Sequence, residues 1–309
     1  MIVGIPRALM YFEYEPLWER WIRGLGHTVV VSPYTTKACL TNGIELAPEE
    51  ACLPLKAYLG HVKHLSTCVD RVFVPRVVAT GRHQHSCPKI IALPDIVKSL
   101  FPGILLEPLW SVESSPCSVG SMLTAVNWGT RLCGSSLQSF AAYWQGVSQW
   151  KRKRGSTAHT RPERTKLKVA VVGHRYITCD PFLSQQVTTS LARMGVYVLP
   201  QPALGAMART SRLLGKRVYW HHESQLVSQA LHYLSGAVHG VIHLSCFGCG
   251  PDSMISDLLA QWARRHSKVP FLTLNLDEHS SEVGLATRLE AFVDIVEAAA
   301  NENHLSSHR

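Results

Sequence analysis

Short aliphatic and β-branched runs recur along the chain, separated by segments of helical periodicity. In the first half the runs are IVGIP at 2, TVVVSP at 28, RVFVPR at 71 and ILLEP at 104. Amphipathic segments lie between them, as over 8–25 and 88–100, and a long apolar-periodic stretch from about 119 to 150 closes the half. The second half offers KVAVVG at 168, VYVLP at 196, GVIHLS at 240 and PFLTLN at 270, with helical patterns near 181–194, 221–235, 251–266 and 283–300. These runs read as strands buried on both faces, and their alternation with helices marks parallel sheets covered on both sides. The pattern predicts an α/β protein of two doubly wound, Rossmann- or flavodoxin-like parallel-sheet domains, four strands each, facing a central cleft. Ligands of such sheets collect beyond the carboxyl ends of the strands. The expected boundaries are 1–150 for the first domain with its long closing helix, 151–166 for a basic linker, and 167–303 for the second domain.

Composition narrows the class. The chain has 309 residues, 46% hydrophobic and 17% charged, as in soluble globular proteins. The opening MIVGIPRALMYFEYEPLWERW meets Pro6, Arg7 and Glu13 too early for a secretory signal, and no apolar run nears the roughly 18–20 residues of a membrane helix. The net charge of +9 suggests nucleic acid until it is located: KRKRGSTAHTRPERTKLK at 151–168 holds eight Lys/Arg against one Glu. That segment carries +7, so subtracting seven from nine leaves +2 for everything else, and the basicity reads as a solvated tether. No nucleic-acid or membrane partner is expected. Nine cysteines without an export signal read as reduced cytoplasmic thiols, available for metal or redox chemistry. Neither a P-loop nor a G-x-G-x-x-G follows any strand, and VVGHRY at 171 has a single glycine; ATP hydrolysis is therefore expected of a partner.

Three cysteines share a context. Cys52 in EEACLPLK, Cys87 in HSCPKIIALPD and Cys249 in FGCGPDS each precede a proline by one or two positions, and a helical pattern follows. Proline favours the first helical positions, so these thiols fall at helix N-termini, where unpaired N–H groups and the positive end of the helix favour a thiolate. Cys-Pro pairs at helix starts also occur without metal. Cys246 and Cys249 form the chain's one CxxC, which alone would suit a dithiol, and His83 and His85 in GRHQHSC keep zinc open. The other five cysteines read as small buried or incidental thiols.

At this point the residues resemble a known family. IPRALMYFEYEPLW, EEACLPLKAYLGHV, VFVPR, CPKIIALPD, GHRYITCDPFLS, FGCGPDSMISDLL and PFLTLNLDEHSSEVGLATRLEAFVDIV look like the acyl-CoA dehydratase activase-related proteins, from residue 2 to about 297. These are related to 2-hydroxyacyl-CoA dehydratase subunits and double-cubane cluster proteins. The resemblance implies paired α/β domains holding a low-potential iron–sulfur cluster, 4Fe–4S or double-cubane, on cysteines from separate loops. It implies electrons delivered by an actin/Hsp70-like ATPase activase with its own cluster, and a homodimer or a related second subunit. Carried over, the ligands are Cys52, Cys87 and Cys249, with Cys246, which departs from the family's serine-like position, as a further ligand or a neutral substitution. Arg7, Arg76, Lys56 and Lys89 flank these segments and would offset cluster charge or hold an anionic ligand, or serve as surface charges and caps. Glu278 and His279, after the last strand, would move protons or cap a helix. The expectation is a cytoplasmic electron-accepting reductase or dehydratase component. The alternatives are a non-catalytic, cluster- or metal-binding scaffold and a zinc or dithiol protein.

Overall fold

The computed structural model describes residues 1–81, 84–110, 116–155, 167–199, 218–280 and 282–306. They divide into two compact units, Met1–Ser156 with Tyr219–His222, and Thr157–Val218 with Glu223–Arg309.

The first unit runs β1 (Ile2–Ile5), α1 (Tyr11–Gly24), β2 (Thr28–Val31), α2 (Lys37–Leu46), α3 (Leu53–Leu65) and β3 (Arg71–Phe73). There follow the short strands β4 (Arg76–Val77), β5 (Ala79–Gly81) and β6 (Gln84–His85), then α4 (Pro88–Ile91), α5 (Leu93–Leu100), β7 (Leu105–Leu106), β8 (Leu109–Trp110), α6 (Val119–Cys133) and α7 (Ser136–Gly155). The main sheet has the order β2-β1-β3-β7, all parallel. Its four strands are the four apolar runs of the sequence. β4–β8 and β5–β6 form two small additional ribbons that the pattern did not announce.

Helix α1 buries Tyr14, Leu17, Trp18, Trp21 and Ile22, a stripe at helical spacing. Trp21 packs against Trp128 (ring centroids 5.0 Å) and Tyr143 (5.5 Å), and Trp18 against Phe73 (5.4 Å). The antiparallel α1–α7 contact is close. A Cβ on Gly24 would lie 2.5 Å from that of Ala142, and one on Gly146 would lie 2.7 Å from the Leu17 carbonyl oxygen. The Trp150 Nε1–H donates to the Glu13 carbonyl (2.9 Å) at the far end of the same contact.

Two expectations need correction here. The stretch 119–150 is two helices, because Gly134 takes φ +74° and ends α6. The linker does not begin at 151: α7 continues through Gly155, with Arg152, Lys153 and Arg154 in its last turn, where cations complement the exposed carbonyls. Arg154 lies over the Trp150 ring (4.5 Å), and Lys153 pairs with Glu15. The rest of the expected linker, 156–166, lies outside the described residues.

The second unit runs β9 (Lys168–Gly173), α8 (Arg175–Thr178), α9 (Val187–Arg193), β10 (Tyr197–Leu199), α10 (His221–His232), a π-turn over Tyr233–Ala237, β11 (Gly240–Cys246), α11 (Gly250–His266), β12 (Phe271–Leu276) and α12 (Glu282–Ser306). Its sheet, β10-β9-β11-β12, is again all parallel. Residues 240–246 are buried without exception, as a central strand covered on both faces must be. Both units thus repeat one topology, in which the first strand has its second strand on one side and its third on the other. In each, the chain departs in opposite directions from the seam between first and third strands: β1/β3 in one unit, β9/β11 in the other. Crevices in doubly wound sheets open at that seam.

Helix α3 is buried on nearly every side, including Lys56 and His61, and it meets α2 backbone to backbone. A Cβ on Gly60 would stand 2.0 Å from the Cys39 carbonyl oxygen, whereas one on Gly120, in the first turn of α6, meets nothing within 4 Å. Gly60→Ala is therefore expected to destabilise by about 1–3 kcal/mol or more through forced separation of α2 and α3. Gly120→Ala should be neutral or stabilising by up to about 1 kcal/mol. Urea denaturation of the two variants checks this, and equal stabilities would refute the close α2–α3 approach.

Candidate functional site

The three cysteines singled out in the sequence occupy the same local position. Cys52 is the N-cap of α3, Cys87 of α4 and Cys249 of α11, each with extended backbone and with proline at the first or second helical position. Proline's fixed φ suits that turn, and its missing N–H removes no helical bond there. Cys52 and Cys249 are buried and Cys87 is half-buried; all are thiols.

Cys52 and Cys87 belong to the first unit. The Lys89 Nζ donates to the Glu50 carbonyl (3.0 Å), tying the loop before Cys52 to the first turn after Cys87. Arg7 follows β1 directly. Its backbone N–H and Nε–H donate to Ser32 Oγ (2.8 Å) and Ser32 O (3.0 Å), and its guanidinium lies over Tyr34 (4.4 Å). Arg76 grips Asp95 with both terminal nitrogens (2.7 and 2.8 Å) and Glu107 with Nε (2.6 Å), so its charge joins α5 to the segment before β8. Lys56 lies in the first turn of α3, its backbone N–H donating to Cys52 O (3.1 Å). His85 sits beside Tyr219 (5.5 Å) and bridges to Trp220. His83 lies outside the described residues.

The second unit holds a cluster that the sequence reading did not assemble. His174 is the residue immediately after β9 and Cys249 caps the helix that follows β11, so both stand at the carboxyl end of the β9/β11 seam. Asp252 comes from the first turn of α11 and Glu223 from the first turn of α10. Ligand-type atoms of His174, Cys249 and Asp252 all lie within 4.8 Å of one another, the one such trio among the described residues. His174 Nε2 is 3.7 Å from Glu223 Oε1 and 3.9 Å from Asp252 Oδ1, and the three side chains are 2%, 4% and 1% exposed.

Behind them His243, inside β11 and wholly buried, donates from Nε2 to Asp252 Oδ1 (3.2 Å), and its Nδ1 faces Ser256 Oγ (3.4 Å). The His174 Nε2 and the Asp252 Oδ2 make no hydrogen bond. The His174 ring itself is held flat against Tyr176 (4.9 Å, 12°).

The two carboxylates are tuned apart. Burial alone would raise Asp252, but the His243 hydrogen bond and the charges of His174 and His243 outweigh it and hold the carboxyl down to about 2. Burial pushes Glu223 up, only partly offset by His174 and a backbone N–H, and the Asp252 charge pushes it further in the same direction. One carboxyl is thus kept ionised and its neighbour is biased toward the neutral acid, a separation that marks sites of proton or metal chemistry.

The CxxC does not act as one structural element. Cys246 ends β11 and is 1% exposed, and its carbonyl accepts from the Cys249 N–H (3.3 Å) across a turn in which Gly248 takes φ +77°. Glu278 is half-buried and His279 exposed, in a turn after β12 organised by Asp277: the His279 N–H (2.8 Å) and Ser280 Oγ–H (2.9 Å) both donate to Asp277 Oδ1. Neither joins the close trio. The signals for the missed residues were present. His243 interrupts an apolar strand run, and a polar group there must find a partner. His174 follows directly on a buried strand, the position from which side chains reach a crevice.

The fold and the cluster define an α/β protein of paired parallel sheets with a buried ligand-type site at a strand seam. Its sequence matches the family described as "CoA enzyme activase uncharacterised domain (DUF2229)" over residues 2–204, and the chain belongs to that family. The match spans the whole first unit's main chain segment and reaches β9, His174 and β10 of the second. A search of curated proteins finds no match. Among the described residues no helix is long and apolar enough to cross a membrane.

Loss of a donor from this buried cluster should be severe. His243→Leu strips the buried Asp252 carboxylate of its hydrogen-bond donor and is expected to destabilise by about 1–3 kcal/mol or more. Glu223→Gln imitates the acid form that burial favours. A group whose folded pKa is raised loses stability as pH rises from its unfolded value through the folded one. Between about pH 4.5, the unfolded value, and neutrality the native protein should therefore lose stability relative to Glu223→Gln, measured by urea unfolding in chelator. A constant difference across that range would contradict the assignment.

Proposed function

We propose that this activase-family protein is an iron–sulfur protein whose cluster is held by the thiolates of Cys52, Cys87 and Cys249, and that it accepts low-potential electrons from a separate ATP-dependent activase. The observation that carries the reading is the repeated placement of these three cysteines, and of no other cysteine, at the cap of a proline-started helix. Thiolates are the normal ligands of iron–sulfur clusters, and helix N-terminal N–H groups stabilise both thiolate and cluster charge. The donor set therefore fits the group. Bound there, a cluster supplies single electrons at low potential for reductive or dehydratase-type chemistry on a small-molecule acceptor such as an acyl-CoA.

The chain's own residues have narrower tasks. Lys89 holds the loop before Cys52 against the start of α4. Lys56, buried in the first turn after Cys52, is the candidate to offset cluster charge from α3. Glu278 and His279 are the candidates for proton transfer from the turn after β12. In this reading ATP hydrolysis belongs to the activase, which carries its own cluster, and the acceptor-bearing assembly is a homodimer or a pair with a related subunit; the missing phosphate loop supports the first part. A non-catalytic scaffold serving the same activase is the competing outcome.

Purified and reconstituted anaerobically, the protein should contain iron and acid-labile sulfide in equal amounts. Cys249→Ser, Cys52→Ser and Cys87→Ser should each lose most of both, whereas Cys246→Ser should retain them. Serine suits an N-cap, so the first three changes leave the helices capped. Absence of sulfide from the wild-type protein, or equal loss in Cys246→Ser, would overturn the three-thiolate reading. Reduction by an activase with ATP, followed by turnover of a bound acceptor, separates reductase from scaffold.

A further inference from the structure

The cluster at the β9/β11 seam holds more than a thiol. Two atoms of its almost wholly buried side chains, His174 Nε2 and Asp252 Oδ2, stand without a hydrogen bond, and the carboxylate oxygens nearest His174 Nε2, of Glu223 and Asp252, are 3.7 and 3.9 Å away. Buried polar atoms are nearly always paired, so two orphans beside one thiol point to a missing common partner. Three properties say what it is.

The first is donor chemistry. One imidazole nitrogen, one thiolate and one carboxylate oxygen form a set that takes zinc- or iron-like dications and disfavours magnesium and calcium, which prefer oxygen alone. The second is charge. Metal binding requires the deprotonated ligands, and thiolate, carboxylate and neutral imidazole sum to −2, which a dication cancels. The metal takes the place of the protons that these ligands otherwise carry.

The third is geometry. The three ligand atoms lie within 4.8 Å of one another, and tetrahedral bonds of about 2.0–2.3 Å need separations of roughly 3.3–3.8 Å. About 1 Å of side-chain movement closes the set. Behind it, His243 donates to Asp252 Oδ1 and so fixes the orientation of that carboxylate, the place of a supporting partner.

We propose that His174, Cys249 and Asp252 bind one transition-metal atom within the second unit, with His243 as the positioning residue of the Asp252 ligand. Three protein ligands leave a fourth position open for an exogenous ligand. The inference rests on the reading of Cys249 as a metal-binding thiolate, and it owes nothing to Cys52 or Cys87. The atom is either a single bound ion or the iron that a cluster presents to Cys249; the ligand chemistry is shared, and the two sources are separable by experiment.

The test uses the full chain carrying Cys52→Ser and Cys87→Ser, kept reduced and anaerobic and titrated with Co2+ alone. One equivalent should bind with tetrahedral absorption bands and a thiolate-to-cobalt charge-transfer band. Adding Cys249→Ser should abolish the charge-transfer band. Adding His174→Ala or Asp252→Asn should weaken Co2+ binding by at least 10–100-fold, and His243→Gln by about 10–100-fold with the band position kept. Because changes at buried positions can unfold a protein, each variant's melting temperature is measured without metal. Co2+ should raise that temperature in the parent and not in the ligand variants.

No Co2+ binding by the folded parent would overturn the proposal, as would affinity unchanged by His174→Ala and Asp252→Asn. Iron–sulfur analysis of the wild-type chain then separates the two readings. Wild-type protein without sulfide beside a Co2+-binding parent removes the cluster and keeps this site. A sulfide-containing wild type beside a parent that ignores Co2+ does the reverse. With both positive, loss of histidine nitrogen coupling from the cluster's electron-spin spectrum in His174→Ala identifies the cluster's iron as the atom held. Retention of that spectrum unchanged identifies a single ion.

Discussion

Two carboxyls, two imidazoles and a thiol are kept out of water in one place, and a buried anion persists only where a proton, a donor or a metal answers it. That constraint organises the second unit. His243 satisfies one oxygen of Asp252 from inside the central strand, the helix N-terminus of α11 faces Cys249, and burial drives Glu223 toward its neutral form. What remains without a hydrogen bond, the His174 nitrogen and the second Asp252 oxygen, belongs to the side chains that cluster with that thiol. The proposed metal completes an arrangement whose other charges are already matched.

Topology explains why the cluster stands where it does. In the order β10-β9-β11-β12 the connections leave β9 and β11 in opposite directions, and doubly wound sheets place their crevice at the carboxyl ends of such a seam. The seam is tight below: a Cβ on Gly173 would lie 2.8 Å from the Leu244 carbonyl oxygen. One residue later His174 emerges from β9, and within five residues of β11's Leu244 the chain reaches Cys249. The first unit repeats the same strand order, with Pro6-Arg7 leaving β1 and Pro75-Arg76 leaving β3. There the departing arginines are spent on Ser32 and on the Asp95 and Glu107 carboxylates, and the thiols come from the starts of α3 and α4 instead. The same strand order therefore carries different side chains at the strand ends of the two units.

Much of this was legible in the sequence. The eight principal strands begin within one residue of the apolar runs. The central β9 and β11 are covered on both faces and have no polar face to blur the pattern, whereas the flanking β2, β7 and β10 are only partly buried and were read from their β-branched and aliphatic residues. The cysteine caps were legible because proline can occupy few places in a helix, and a proline just past a cysteine fixes the cap. The break at Gly134 was not, since a helical glycine and a left-handed one look alike until the flanking helices pack. The helical character of 151–155 was hidden by a run of charge that suits a helix's last turn as well as it suits a tether. Of the cluster itself only Cys249 was read. Asp252 and Glu223 look like ordinary first-turn acids, and only the packing of α10 and α11 against the sheet removes both from water.

The measurement that tests the central claim most directly is X-ray absorption at the metal edge of the iron-loaded, anaerobic protein, compared with His174→Ala. The account predicts sulfur scatterers in the first shell together with the outer-shell pattern of a coordinated imidazole, and loss of the imidazole pattern in the variant. A first shell of oxygen and nitrogen alone, or a spectrum identical in the two proteins, would contradict it.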